Sequence, residues 1–358
     1  MIAAAAGPKP GIKRQDAGER AFAYAKACGI IGKSFVGRRI AALKKLNTLT
    51  EFDRLVFPEI QRELPGRELL ADLENRLLRR TVKHIMAVLD SFLYPPELLV
   101  RQLRSCEYAD LKTCLRHISA GKSAPVISGI GRFGTVCFDA YPDLAAMLAG
   151  TEFESLLAEV KKNNINANGL NTDTEFNLAS LEAKLDLQYY TLLVRSIRRL
   201  SAQDRFFAER ILAEEISLRN CIWALRLRGY FNKTPDETEQ FLMDLTIKVS
   251  LAAEARQMLG FPLDLRSAWK GWRWEGFLNP EPPGEIWEAN PRYFQNAASR
   301  YLYRLSLRSF RRMPFSVSSG FCYIKLKQFE EDLLTSTAEG LGLGMTGDDV
   351  LNLIEVPA

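Results

Sequence analysis

Two Gly-Lys-Ser triplets are the residues of this 358-residue chain whose types suggest phosphate chemistry. One lies in GIIGKSFVGRR (29–39) and the other is Gly121-Lys122-Ser123. A phosphate-binding loop needs Gly, four residues, then Gly-Lys-Ser/Thr, because the leading glycine makes the turn that aims backbone N–H groups at the phosphates. Counting back five positions gives Ala27 in the first case and Arg116 in the second. Both triplets follow stretches with helical spacing, whereas such a loop follows a buried strand. Neither is followed by a hydrophobic strand ending in Asp that could hold magnesium. The spacing argues against nucleotide binding. Gly29, Gly32 and Gly37 are instead expected to break or bend a helix at a tight turn or close approach.

Other chemistry is equally poorly supplied. The two histidines, His84 and His117, both fall in helical-looking segments and leave little scope for Ser-His-Asp or Cys-His catalysis. The six cysteines (Cys28, Cys106, Cys114, Cys137, Cys221, Cys322) are scattered, with no C-x-x-C spacing. Most sit among apolar neighbours, as buried free thiols of a reducing compartment would. Glu214-Glu215 and Glu330-Glu331 are adjacent on helices and point about 100° apart, which does not make an acid/base pair in a cleft. No catalytic, cofactor or metal site is expected.

The elements that position these residues read as helices. In 67–92, Leu70, Leu73, Leu77, Ile85 and Leu89 form one stripe. Segments 181–200, 201–231 and 234–259 repeat the pattern. Thr234-Pro235-Asp236-Glu237 offers an N-cap, a first-turn proline and a capping-box acid, Ser201-x-x-Asp204 resembles it, and Gly260 and Pro262 end the last segment. PVISGIGRFGTVCF (125–138) is the one strand candidate and reads as a linker. The expected fold class is all-α.

Internal repetition gives the organisation. Thr50-Glu51-Phe52-Asp53-Arg54-Leu55 recurs as Thr151-Glu152-Phe153-Glu154-Ser155-Leu156, and loosely as Trp272-Arg273-Trp274-Glu275-Gly276-Phe277. Leu73-Glu74-x-x-Leu77 recurs as Leu181-Glu182-x-x-Leu185, and EYADLKTCLRHI from Glu107 aligns with EISLRNCIWALRL from Glu215 and, faintly, with QFEEDLLTSTAEGL from Gln328. The first two copies are offset by 101, 108 and 108 positions and the last two by 121 and 113. Three helical-bundle domains are expected after an N-terminal tail (1–17), at 18–125, 126–232 and 233–358, packed with rough threefold pseudo-symmetry as a funnel. The segment 269–287 holds four of the five tryptophans. Exposed, they could stack on sugars or bases, but Trp274 stands where the other copies place Phe52 and Phe153, which assigns it to a core.

Apolar residues make up 47% and charged residues 25% of the chain, a soluble globular balance. There is no uncharged apolar run near the ~20 residues of a membrane span, so a cytoplasmic location is expected. The net charge of +5 is unevenly spread. Residues 1–45 carry ten Lys/Arg against Asp16 and Glu19, residues 292–327 carry eight and no acid, and residues 328–358 carry seven Asp/Glu and no base. Nucleic acid is one reading. Solvated faces meeting acidic partners is the plainer one, since no nucleic-acid module accompanies the charge.

Seven stretches carry a family resemblance: FAYAKACGIIGKSFVGRR near the N-terminus, LVFPEIQRELP (55–65), PPELLVRQLRSCEYADLK (95–112), LEAKLDLQYY (181–190), EEISLRNCIWALRLRGYF (214–231), GWRWEGFL (271–278) and FCYIKLKQFEEDLLTSTAEGLGLGM (321–345). Together they resemble the C-type subunits of rotary V-type/A-type ATPases, known as the d-type subunits in vacuolar enzymes. The match spans almost the whole chain in the family's order. It departs where the family has an Arg-Asn-like pair and this chain has Asp332-Leu333.

The resemblance implies a funnel of three helical domains with no catalytic role of its own. Its partners would be the central stalk and the proteolipid rotor ring, on the cytoplasmic face, with torque passing through it for H+ or Na+ transport. Membrane contact would be only through the ring, with no cofactor and no nucleic acid. Lys33, Arg38, Arg39, Arg226, Arg228, Lys325 and Lys327 are the candidate partner contacts. A stand-alone helical scaffold or nucleic-acid adaptor with basic faces is the alternative.

Overall fold

A computed structural model describes residues 13–37, 39–59, 63–119, 174–282, 284 and 286–354. Their helices are α1 (Lys13–Ile31), α2 (Ile40–Leu43), α3 (Leu49–Val56), α4 (Gly66–Leu89), α5 (Glu97–Leu103) and α6 (Ser105–Ser119), then α7 (Thr174–Arg198), α8 (Ala202–Phe231), α9 (Pro235–Glu239) and α10 (Ala253–Leu259). They close with α11 (Pro291–Arg312), α12 (Val317–Gly342) and α13 (Gly347–Ile354), with short 3-10 turns at Arg266–Trp269 and Glu275–Phe277. No strand occurs among the described residues, and the fold is all-α. No described helix is long and apolar enough to cross a membrane. The strand candidate 125–138, the triplet Gly121-Lys122-Ser123 and the repeat copy at 151–156 lie outside the described residues.

The helices form where the periodicity places them. Leu73, Leu77, Ile85 and Leu89 of α4 are buried, and Leu70 is half-buried at the rim of the stripe. The α8 start is capped by the Ser201 hydroxyl, which accepts from the Asp204 N–H, and its end is Asn232 in the left-handed region (φ 49°). Both halves of the Thr234/Glu237 capping box are present. The expected single helix over 234–259, however, is two. The chain leaves α9 after Glu239, forms one antiparallel bridge between Thr246 and Ser250, and re-enters helix at Ala253. The buried side chain of Asn220 explains the break. Its Nδ2 donates to the carbonyls of Met243 and Leu251 (3.1 Å each), and its Oδ1 accepts from the Met243 N–H (2.9 Å). One amide thus supplies bonds that a helix would have made internally. The β-branched Thr246, Ile247 and Val249 weaken the helical alternative. The third copy of the aromatic-Glu element is likewise a 3-10 turn, where the first is α3.

The hydrophobic cores follow from these faces. One cluster joins α1, the C-terminal half of α4, α5, α6, α7, the first half of α8 and the first half of α12. It draws residues from all three expected segments. A second gathers Trp269, Trp272, Trp274 and Trp287 against the C-terminal half of α8 and the start of α11, which places all four in a core rather than on a stacking surface. A third packs Phe35, Phe52, Leu73 and Leu77 on Leu333, Leu334, Leu341 and Leu351. The central element is α12, which touches α1, α3, α4, α5, α8, α11 and α13. Its N-terminus is held by buried Asp204 of α8. That carboxylate accepts from the Val317 N–H at 2.9 Å and the Ser318 N–H at 3.4 Å, and from Arg20 at 3.2 Å. This borrowed cap satisfies helix-end donors that would otherwise be orphaned.

Candidate functional site

The helices line a half-open cavity of about 540 Å³ whose walls come from α4, α5, α6, α7, α8, α11 and α12. The residues aligned by the internal repeat meet here. Glu215 and Gln328 line it, and Ser105, Cys106 and Ala109 flank the aligned Glu107. The three segments are joined by polar bonds. The Gln102 amide donates to Gln328 Oε1 at 3.0 Å, and the Gln328 amide donates to Ser105 Oγ at 2.8 Å. Lys325 Nζ lies 2.7 Å from Glu215 Oε1, which also accepts from the Tyr190 hydroxyl at 2.8 Å. Burial raises the Glu215 carboxyl, but Lys325 and Arg219 outweigh it and hold the group below the usual carboxylate range. Burial pushes the Lys325 ammonium down, against the pull of Glu215. Arg219 lies 5.5 Å from the Tyr190 ring centroid. Glu215, Arg219 and Arg226 project along one face of α8 into the cavity. They are spaced at four and seven residues, so charged residues on a helical face were the signal for the site. Basic residues considered alone miss Arg219 and its tyrosine partners. Asp332 also lines the cavity, while Leu333 turns into the third core.

The sequence-predicted contacts separate into different places. Lys325 and Lys327 are 8% and 2% exposed and engage Glu215 and Glu330, so they are internal ties rather than rim charges. An acidic partner on the same helix or across the cavity outweighed the solvation that a lone lysine would seek. Arg228 donates to the carbonyls of Met258 (2.9 Å) and Phe261 (2.8 Å), closing the end of α10. Arg226 donates to the Gln295 side chain at the cavity wall. Lys33 and Arg39 are exposed, and Arg38 lies outside the described residues. The cysteines differ too. Cys221 and Cys322 are buried and burial pushes both thiols up, but Cys28 is exposed and Cys106 half-buried.

GIIGKSFVGRR is a clamp on α12. Gly29 lies within α1 rather than bending it, and the helix closes after Ile31 with the Gly32 N–H bonded to the Cys28 carbonyl at 2.9 Å. Gly37 has φ 99°, which a side chain would strain. Phe35 is buried, and its N–H donates to Glu330 Oε1 at 3.0 Å. The Arg39 guanidinium covers the Phe35 ring at 3.9 Å and donates to the Lys33 carbonyl at 2.9 Å. The loop amide that a phosphate cradle would aim at its ligand is already bound to the chain's own Glu330 carboxylate, whose charge would repel a phosphate. Lys33→Ala should leave stability within about 0.5 kcal/mol in chemical denaturation, as an exposed substitution does. It should equally leave retention on an ATP-analogue resin at the background level of the parent chain.

His84 sits beside this clamp. Its carbonyl accepts from the Tyr323 hydroxyl at 2.8 Å, and its buried Nδ1 has no hydrogen-bond partner among the described residues. Burial, then Lys327 and Arg80, push the imidazole from 6.5 down to about 4. The folded chain therefore binds fewer protons than the unfolded one between those values, so stability is full above pH 6.5 and falls on acidification. Discounted for the partly solvated ring, a loss of roughly 2 kcal/mol by pH 4 is expected from this group. Urea denaturation of the parent and of His84→Gln at pH 7 and 4.5 should show the pH dependence shrinking in the variant.

The sequence model of the ATP synthase (C/AC39) subunit family matches residues 58–353. An uncharacterized protein of Treponema pallidum (strain Nichols) is 26% identical over 328 residues, spanning 90% of this chain and 92% of that protein. Since the family match covers most of the chain, including every wall of the cavity, the chain belongs to the ATP synthase (C/AC39) subunit family, the C- and d-type subunits of V/A-type ATPases.

Proposed function

We propose that this V/A-type ATPase subunit is a non-catalytic rotor adaptor. It joins the central stalk to the membrane-embedded proteolipid ring and carries torque for ATP-coupled H+ or Na+ transport. One observation supports the reading most: a cavity whose walls come from the repeated segments, tied to one another by Gln102–Gln328–Ser105 and Tyr190–Glu215–Lys325. A socket at the meeting point of packed helical units can grip a narrow helical shaft while the outer surface of the same units spans a wider ring. Close packing supplies the rigidity that torque transfer needs. In this reading the repeat units are 18–125, 126–232 and 233–358, disposed as a funnel on the cytoplasmic face of the membrane, with exposed Lys33 and Arg39 and cavity-lining Arg226 as partner contacts.

The test is co-purification of the tagged chain with the detergent-solubilised ring and the central stalk. Recovery of both, in stoichiometric amounts and without ATPase activity in the isolated chain, is the expected result. Recovery of neither, or hydrolysis by the isolated chain after contaminants are removed, would overturn it.

A further inference from the structure

The basic stretch 292–327 divides in the structure. Lys325 and Lys327 are internal, but Arg304, Arg308, Arg311 and Arg312 lie exposed along α11. At 100° per residue the four fall within an arc of about 100°. The cavity-facing residues of the same helix, Gln295, Ser299, Leu302 and Ser306, occupy the opposite side. No described carboxylate makes an ion pair with any of the four arginines. Exposed Arg210 of the neighbouring α8 is likewise without one, and it shares with Arg308 an electrostatic influence on the Tyr301 hydroxyl.

Some arginines elsewhere on this surface are neutralised, as Arg116 by Glu182, Arg256 by Glu239 and Arg273 by Glu214, and others such as exposed Arg54 and Arg195 stand singly; the face of α11 differs in gathering four on one arc. A solvated face normally mixes signs, whereas a row of one sign repels itself and is a recognition surface for the other. The row ends in an aromatic knuckle. Phe315, in the turn after α11, has φ 61°, a conformation costly for an aromatic residue. Phe315 is 53% exposed, and its ring is edge-on to Tyr24 of α1 at 5.5 Å.

We propose that this outer face of α11 docks an acidic amphipathic helix of a partner protein. Arginines four residues apart rise about 6 Å per step along the helix. Carboxylates spaced i, i+4 on an apposed helix repeat at the same interval, and a guanidinium grips each in a planar fork. An apolar residue at one end of that helix covers Phe315. A nucleic-acid duplex could match the charges but keeps its bases stacked inside, and a single strand, whose bases could stack on Phe315, is told apart by the identity of the photo-adduct. The site lies across α11 from the cavity, so it is independent of whatever shaft the cavity receives.

The test uses the chain in its assembled complex, with Arg308 replaced by a photoreactive phenylalanine analogue. The adduct is identified by mass spectrometry. A protein segment with Asp or Glu at every third or fourth position is the expected product. Arg304→Glu/Arg312→Glu should weaken its formation about tenfold without changing the thermal melt. Changing two acids of the identified segment to Lys should restore it. A lipid or nucleic-acid adduct, no adduct, a segment without acidic spacing, or an adduct undiminished in the double variant would overturn the proposal.

Discussion

Glu330→Ala is expected to cost about 4 kcal/mol of unfolding free energy, as the removal of one partner from a buried charge pair does. The carboxylate is 1% exposed and gathers three separate parts of the chain. It pairs with Lys327 one turn earlier on α12, lies 3.5 Å from Arg80 of α4, and accepts the Phe35 N–H of the glycine-rich loop. Burial alone would raise its pKa, but Lys327, the Phe35 amide and Arg80 together hold it below the usual range. In the variant, Lys327 stays buried without its acidic partner and must lose its proton or drag water inward. The clamp on Phe35 opens at the same time. The paired replacement Lys327→Met/Glu330→Leu removes both charges, so its cost should be markedly smaller, under about 2 kcal/mol. Urea midpoints of the two variants decide the matter. Equal losses would mean that the effect is packing rather than an orphaned charge.

Gly347→Ala is expected to destabilise by at least about 3 kcal/mol, although it adds a single methyl group. A Cβ at this position would collide with the Leu43 carbonyl oxygen and stand 3.2 Å from that of Leu46. The obstacle is backbone, which cannot rotate away as a side chain would. Moving it would also break the bond from the Gly347 N–H to the Leu46 carbonyl (2.7 Å), which seats α13 on the turn between α2 and α3. Gly340 gives the contrast. Its added Cβ would collide with Val350 Cγ2, the tip of a side chain with some freedom to turn. Gly340→Ala should therefore cost less than Gly347→Ala. Limited proteolysis near residue 346 should accelerate in Gly347→Ala first, since the detached element is α13 with its buried Val350 and Leu351.

Glu330 and Gly347 differ from the features that a linear reading reaches. Local rules located Ser201 and Thr234 as caps, the Leu73–Leu77–Ile85–Leu89 stripe as a buried face, and the missing glycine at position 27 as the departure from the phosphate-loop spacing. Each depends on residues within a turn or two of one another, so spacing is enough. The repeat likewise named Glu215 and Gln328 as equivalents before the cavity brought them together. Charge alone did not reveal which cations face solvent. Lys325, Lys327 and Arg304 look alike in a basic stretch. The first two meet Glu215 and Glu330 inside the bundle, and the third meets no described carboxylate.

What the sequence by itself determined is the all-α class, most of the described helix limits and the departure of residues 29–39 from the phosphate-loop spacing, because these follow from short-range periodicity, capping and spacing. Only the tertiary structure decided that the expected helix 234–259 breaks around Asn220, that Glu330 holds the glycine-rich loop, that Gly347 must be a glycine, and that four arginines on the outside of α11 meet no described carboxylate. Those outcomes come from groups far apart in the chain: residues 35 and 330, 43 and 347, 220 and 251. No local pattern encodes them, since their energies arise from burial and from hydrogen bonds that exist only once the helices have packed.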